Sequence, residues 1–180
     1  MLNRGLKITG IVLFIVLAFA GLIVWKYDFP KKIKLTYPAV EFRPGDPSTV
    51  DKTTVMVKGT LHRKLFRNQS FTGKIEIAKY DVTKANMMRT TFYEDTKSGW
   101  GVTVYLDSTH DATTGALKAW NIVQFSSIWK TGEFESLKLL LFEPVGAASG
   151  QGKDLQILAP ATDYDSALAL SEQYKERGQY

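Results

Sequence analysis

Eighteen consecutive residues without a charge, Ile8 to Trp25, constrain this chain more than any other feature. At about 1.5 Å of rise per helical residue they reach about 27 Å, close to the ~30 Å hydrocarbon core of a bilayer. A helix apolar on every side has no polar face for water, and as a core helix it needs a larger protein around it. Lys7 and Lys26 close its two ends. Trp25 and Tyr27 sit where interfacial aromatics belong, and Lys31 and Lys32 follow close behind. The run is read as a single-pass transmembrane helix over 8–25, with 1–7 as a short cytoplasmic tail. Those six residues form the predicted membrane interface, and membrane lipid is the first expected partner.

Ala18-Phe19-Ala20 matches the small-x-small pattern of a signal-peptide cleavage site. The apolar run continues past it through Gly21, Leu22, Ile23 and Val24, so an uncleaved signal-anchor is expected. Two basic residues precede the helix and four follow it closely, which by itself would hold the rest of the chain in the cytoplasm. Long domains translocate largely regardless of flanking charge. The expected orientation is N-terminus inside and domain extracytoplasmic, with a cytoplasmic-facing membrane-surface adaptor as the inverted alternative.

The net charge of +5 suggests nucleic acid until its distribution is read. Residues 1–34 hold six basic residues against Asp28 alone, and residues 35–180 hold 17 against 17. The excess sits beside the apolar run, where anionic headgroups are. No nucleic-acid partner is expected. The chain has no cysteine, which excludes a disulfide framework, a zinc–thiolate site and a cysteine nucleophile.

Residues 26–52 are basic and contain Pro30, Pro38, Pro44 and Pro47, the composition of a juxtamembrane linker. The alternation Ile33, Leu35, Tyr37 would equally suit a strap docked on the domain. From residue 53 to 180 the pattern is β-rich. About seven strands are predicted: Thr53–Phe66, Ser70–Tyr80, Met87–Tyr93, Trp100–Leu106, Ala116–Phe125, Phe134–Phe142 and Leu155–Leu158. Hairpin-length connections make the sheet antiparallel. Leu137 to Phe142 alternates least and belongs in the middle of it. One C-terminal helix follows, with Thr162 as N-cap, acids in its first turn, Lys175 and Arg177 in its last, and Gly178 as the stop. Ala167, Leu168, Ser171 and Tyr174 form the stripe that should pack on the sheet. The fold class is mainly β, with an N-terminal transmembrane helix and one C-terminal α-helix.

Candidate chemistry is sparse. Asp107-Ser108-Thr109-His110-Asp111 contains the residue types of a hydrolase triad, but triad members converge from separated segments. A polar hairpin tip is the expected role, and an envelope hydrolase built on 107–111 is the rival. No histidine pair has metal-ligand spacing, so neither metal nor cofactor is expected. The basic stretch His62, Arg63, Lys64 and Arg67 could contact phospholipid headgroups or a wall phosphate polymer, or simply protect a strand end. Trp100, Trp120 and Trp129 could line a saccharide or peptide groove, though strand aromatics more often pack in a core.

Lys58-Gly59-Thr60 through Leu65-Phe66, then Phe71-Thr72-Gly73-Lys74-Ile75-Glu76-Ile77, resembles small membrane-anchored proteins of Gram-positive, Bacillus-like bacteria. Phe134-Glu135-Ser136-Leu137-Lys138-Leu139 and Leu158-Ala159-Pro160-Ala161 before a short helix extend the likeness across most of 55–175. The resemblance implies a cell-surface setting and carries over no catalytic residue. The expected function is a non-enzymatic, membrane-tethered binding, sensing or assembly module at the cell envelope. With so short a tail, any sensing would pass through a membrane or envelope protein partner.

Overall fold

The computed structural model describes residues 2–64, 67–93, 99–110, 113–115 and 117–179, with side-chain surroundings for all of these except 2–7, 24–26, 28, 64, 109, 110, 117 and 118. The first element is α1, Leu2–Lys26, a helix of 25 residues. Its described side chains, 8–23, are all exposed, and none joins either hydrophobic cluster of the rest of the chain. Among the described residues no helix is long and apolar enough to cross a membrane. The sixteen residues of 8–23 fall short of the ~20 that a span needs.

The predicted linker is a strand. After Tyr27, residues Asp28–Arg43 form β1 and Asp46–Lys64 form β2, paired antiparallel from Asp28↔Lys64 to Arg43↔Asp46. The strap reading of Ile33, Leu35 and Tyr37 is the one the fold adopts. Seven further strands follow: β3 Gln69–Ile77, β4 Asn86–Met87, β5 Thr90–Phe92, β6 Gly101–His110, β7 Leu117–Thr131, β8 Ser136–Glu143 and β9 Gln151–Ala159. The count is nine rather than seven because β1 is added and Met87–Tyr93 divides into β4 and β5. All pairs are antiparallel, in the order β4-β6-β7-β8-β9-β1-β2-β3-β5. As predicted, β8 is interior to the sheet and buried on both faces.

The sheet curls until its ends meet. Met88 N donates to Val104 O at 2.8 Å, Tyr93 N donates to Trp100 O at 2.8 Å, and β5 also pairs with β3. Alternation puts Ile33, Val55, Val57, Leu61, Phe71, Ile75, Leu137, Leu139 and Ile157 inside the curl. Tyr105 crosses this interior and donates to Ile75 O at 2.5 Å. Burial pushes its phenol pKa up.

The second helix, α2, is Tyr164–Glu176. Its N-cap is Asp163, not Thr162: the Asp163 carboxylate accepts from Ser166 N at 2.9 Å, and Ser166 Oγ accepts from Asp163 N at 3.2 Å. These bonds hold the Asp163 carboxyl below its usual range. Gly178 closes the other end with φ 72°, donating to Lys175 O while Gln179 N reaches back to Tyr174 O. The predicted stripe is the buried one. Ala167, Ser171 and Tyr174 pack on Val40, Phe42, Trp129 and Leu158 of the outer sheet face, and Leu168 is only partly buried there. Tyr174 Oη lies 2.8 Å from Ser136 Oγ.

A buried carboxylate closes the end of the curl farthest from α1 along β1. Glu41, 4% exposed, takes Lys79 Nζ at 2.7 Å on one oxygen and Tyr80 Oη at 2.5 Å on the other. Desolvation and the neighbouring carboxylate raise the Tyr80 pKa. Desolvation opposes the Lys79 charge, but its bonds to Asp51 and Glu41 outweigh it and raise the pKa. Glu41→Ala is expected to cost about 2 kcal/mol, because it strips two donors of their buried acceptor. Asp51→Ala, which removes the exposed partner of Lys79, should leave the melting temperature nearly unchanged. Equal losses in thermal denaturation would show that the two carboxylates do the same work.

Candidate functional site

Antiparallel pairing brings together two basic segments that are thirty residues apart in sequence. At the foot of α1, Pro30 lies opposite His62, Phe29 opposite Arg63, and Lys31 opposite Leu61. The predicted interface residues Lys31 and Lys32 therefore share one end of the molecule with the predicted anion contacts His62 and Arg63. Lys64 continues β2 there and Arg67 lies just past its end, exposed. Tyr27 and Phe29, both exposed, form an edge-to-face pair at 4.7 Å where helix becomes strand. The side chains of Lys7, Trp25, Lys26 and Lys64 lie outside the described ones.

One acid that the sequence reading passed over organises this end. Glu133, in the β7–β8 turn, takes Arg63 at 2.6 Å and Lys31 at 3.4 Å. Tyr37 Oη donates to the neighbouring Phe134 O at 3.1 Å and fastens the turn to β1. Between them runs a groove of about 330 Å³, floored by Ile33, Leu35 and Tyr37 and edged by Lys31, Lys34, Glu133 and Glu135. It is half-polar and open, suited to contact with a charged surface rather than to enclosing a substrate.

The tryptophans do not share a groove. Trp129 is buried against α2, and Trp100 packs against the same cluster while bridging to Tyr93. Trp120 stands nine residues from Trp129 along β7, about 30 Å away at ~3.3 Å per residue, and is 64% exposed. The polar hairpin tip expected at 107–111 begins later, since Asp107 to His110 continue β6 paired with β7, with a register shift between Thr109 and His110. Asp111 and the His110 side chain lie outside the described residues. Among the described residues no group of three or more His, Cys, Asp or Glu could hold a metal ion.

Lys138 is a second unannounced feature. It is 1% exposed, on the outer face of β8, with its Nζ 3.1 Å from Gln179 O and 5.5 Å from the Trp129 ring centre. Desolvation first, and the nearby Lys175 charge second, push its pKa down to about 8. In the sequence it reads as an ordinary polar position of an alternating strand.

No protein-family model matches this chain, and neither a curated protein nor a solved structure does.

Proposed function

We propose that this chain is a non-enzymatic binding or assembly module tethered to a bilayer by α1, with its β domain on the extracytoplasmic side of a cell envelope. The observation that carries the reading is the exposure of every described side chain of α1, from Ile8 to Ile23. Each large apolar side chain moved out of water gains ~1.5–3 kcal/mol, so a run of this length gains on the order of tens of kcal/mol by entering hydrocarbon. The uncharged run continues in sequence to Trp25, which supports a full span. Lys31, Lys32, His62 and Arg63 then meet the headgroups, with Tyr27 and Phe29 at the interface. The domain side offers paired charges and a closed apolar core, which favours contact over catalysis. A membrane or envelope protein is the partner class such a module would present itself to.

Two fractionations test this. The full chain should stay in the membrane pellet after an alkaline carbonate wash and be released by detergent. Protease added to intact cells should digest the β domain and leave a fragment containing α1. Release by carbonate alone would contradict the tether. A domain protected until the cells are lysed would contradict the orientation.

A further inference from the structure

We infer that the outer face of β1, β2 and β3 is a docking surface for anionic phospholipid headgroups, so that the β domain lies against the bilayer instead of standing away from it. The inference rests on the tether by α1 proposed above.

Residues 33, 57 and 75 point into the curl, so the even-numbered residues of these three strands point out. On that outer face Lys34 lies directly opposite Lys58, and Lys58 directly opposite Lys74. Three lysines thus stand in one row across three strands, about 10 Å from the first backbone position to the last at ~4.8 Å per strand. Lys32 extends the patch toward α1. Like charges set directly opposite each other destabilise a sheet unless something neutralises them. On the inner side something does, because Glu133 answers both Lys31 and Arg63. On the outer side Lys32, Lys34 and Lys58 have no acidic partner among the described residues, and Lys74 donates to the backbone oxygen of Lys84. Glu76, two residues beyond Lys74, is the acid that follows it on the same face.

Shape and position select the occupant. Lys32, Lys34 and Lys58 are exposed on an open strand face, and α2 covers the far part of β1, at Val40 and Phe42, and not this one. A flat cationic face fits a flat anionic surface. β1 begins two residues after α1 ends, so Lys32 and Lys34 lie about 20 and 26 Å from the helix along the strand. A bilayer holding α1 is present at that face at high effective concentration, which a free polyanion is not.

The chain has no cysteine, so Thr36→Cys on this outer face gives a single site for an environment-sensitive fluorophore. The labelled full chain would be placed in nanodiscs of phosphatidylcholine alone or mixed with phosphatidylglycerol, each carrying a headgroup quencher. Quenching should be severalfold stronger in the anionic discs and fall in high salt. It should drop to the phosphatidylcholine level in the Lys34→Gln, Lys58→Gln, Lys74→Gln triple variant. Equal quenching in the two lipids, or a triple variant that behaves as the parent, would overturn the docking while leaving the tether intact. A label that responds to soluble polyphosphate but not to phosphatidylglycerol would overturn it in favour of a polymer ligand. A chain that never enters the discs would overturn the tether, and the docking with it.

Discussion

Gly59→Ala should cost the β domain about 3 kcal/mol or more, the upper range for forcing atoms into a packed interior. Gly59 and Gly73 face each other across β2 and β3. A Cβ on Gly59 would stand 2.4 Å from Thr72 O, 2.7 Å from Gly73 Cα and 2.7 Å from Phe71 Cζ. Two of those three atoms are backbone, so relief would require opening the β2–β3 ladder. The missing side chains let the Phe71 ring fold over the pair and meet Phe134 at 4.9 Å, which fills the interior that the glycines vacate. Gly45→Ala is the control. Gly45 has φ 88° in the β1–β2 turn with nothing within 4 Å of a new Cβ, so only backbone strain of ~1–2 kcal/mol is added. Urea titrations of the full chain in detergent, followed by near-ultraviolet circular dichroism, should rank Gly59→Ala well below Gly45→Ala. The reverse order would mean that β2 and β3 do not approach this closely.

Lys138→Met should stabilise the domain by about 1–2 kcal/mol at pH 7, the ~3 kcal/mol equivalent of its displaced pKa less the cost of leaving Gln179 O without its donor. The sign follows from proton counts. The folded-state pKa is about 8, below the ordinary 10.5 of an exposed lysine. Between those values the unfolded chain binds more protons than the folded one, so folding becomes more favourable as pH rises through this window. Below pH 8 both states are protonated and the full cost of the buried ammonium is present. Methionine keeps the length and packing of the side chain without the charge. The variant's advantage should therefore be largest at and below pH 8 and shrink as pH approaches 10.5, where the parent, which keeps its bond to Gln179 O, becomes the more stable. A gap independent of pH would mean that Lys138 carries no burial cost, and that Gln179 O and the Trp129 face compensate it fully.

Most strands after residue 53 were legible because they show a two-residue alternation between turn signals, as in Phe71, Gly73, Ile75 and Ile77, while β8 was read from its unbroken apolar run and the break between β4 and β5 was missed. β1 was obscured by its prolines. Pro30 and Pro38 lie where β1 has only β2 beside it, since β9 pairs with Val40, Glu41 and Phe42 alone. A proline costs no ladder bond on such an edge, so its presence does not exclude a strand. The alternation Ile33, Leu35, Tyr37, Ala39 was the better signal. The site was less legible than the fold because it depends on register. Lys31 and Arg63 become neighbours only once the turn at Pro44-Gly45 fixes the β1–β2 pairing, and Glu133 reaches them only because the sheet curls. Trp120 and Trp129 lie on one strand yet far apart, so composition overstated the aromatic groove. Glu41 and Lys138 look like surface charges in sequence, and their burial comes from elements distant in the chain, the 77–84 segment and the C-terminal tail.

The tether is the claim on which the functional reading stands, and cysteine accessibility addresses it most directly. Val16→Cys sits at the middle of the exposed apolar run, and Ser149→Cys in the β8–β9 loop, exposed and away from the proposed docking face, serves as the reference. A membrane-impermeant maleimide applied to membrane sheets accessible from both faces should label residue 149 and leave residue 16 unmodified until detergent is added. Equal labelling of residues 16 and 149 before detergent would place α1 in water and contradict the account.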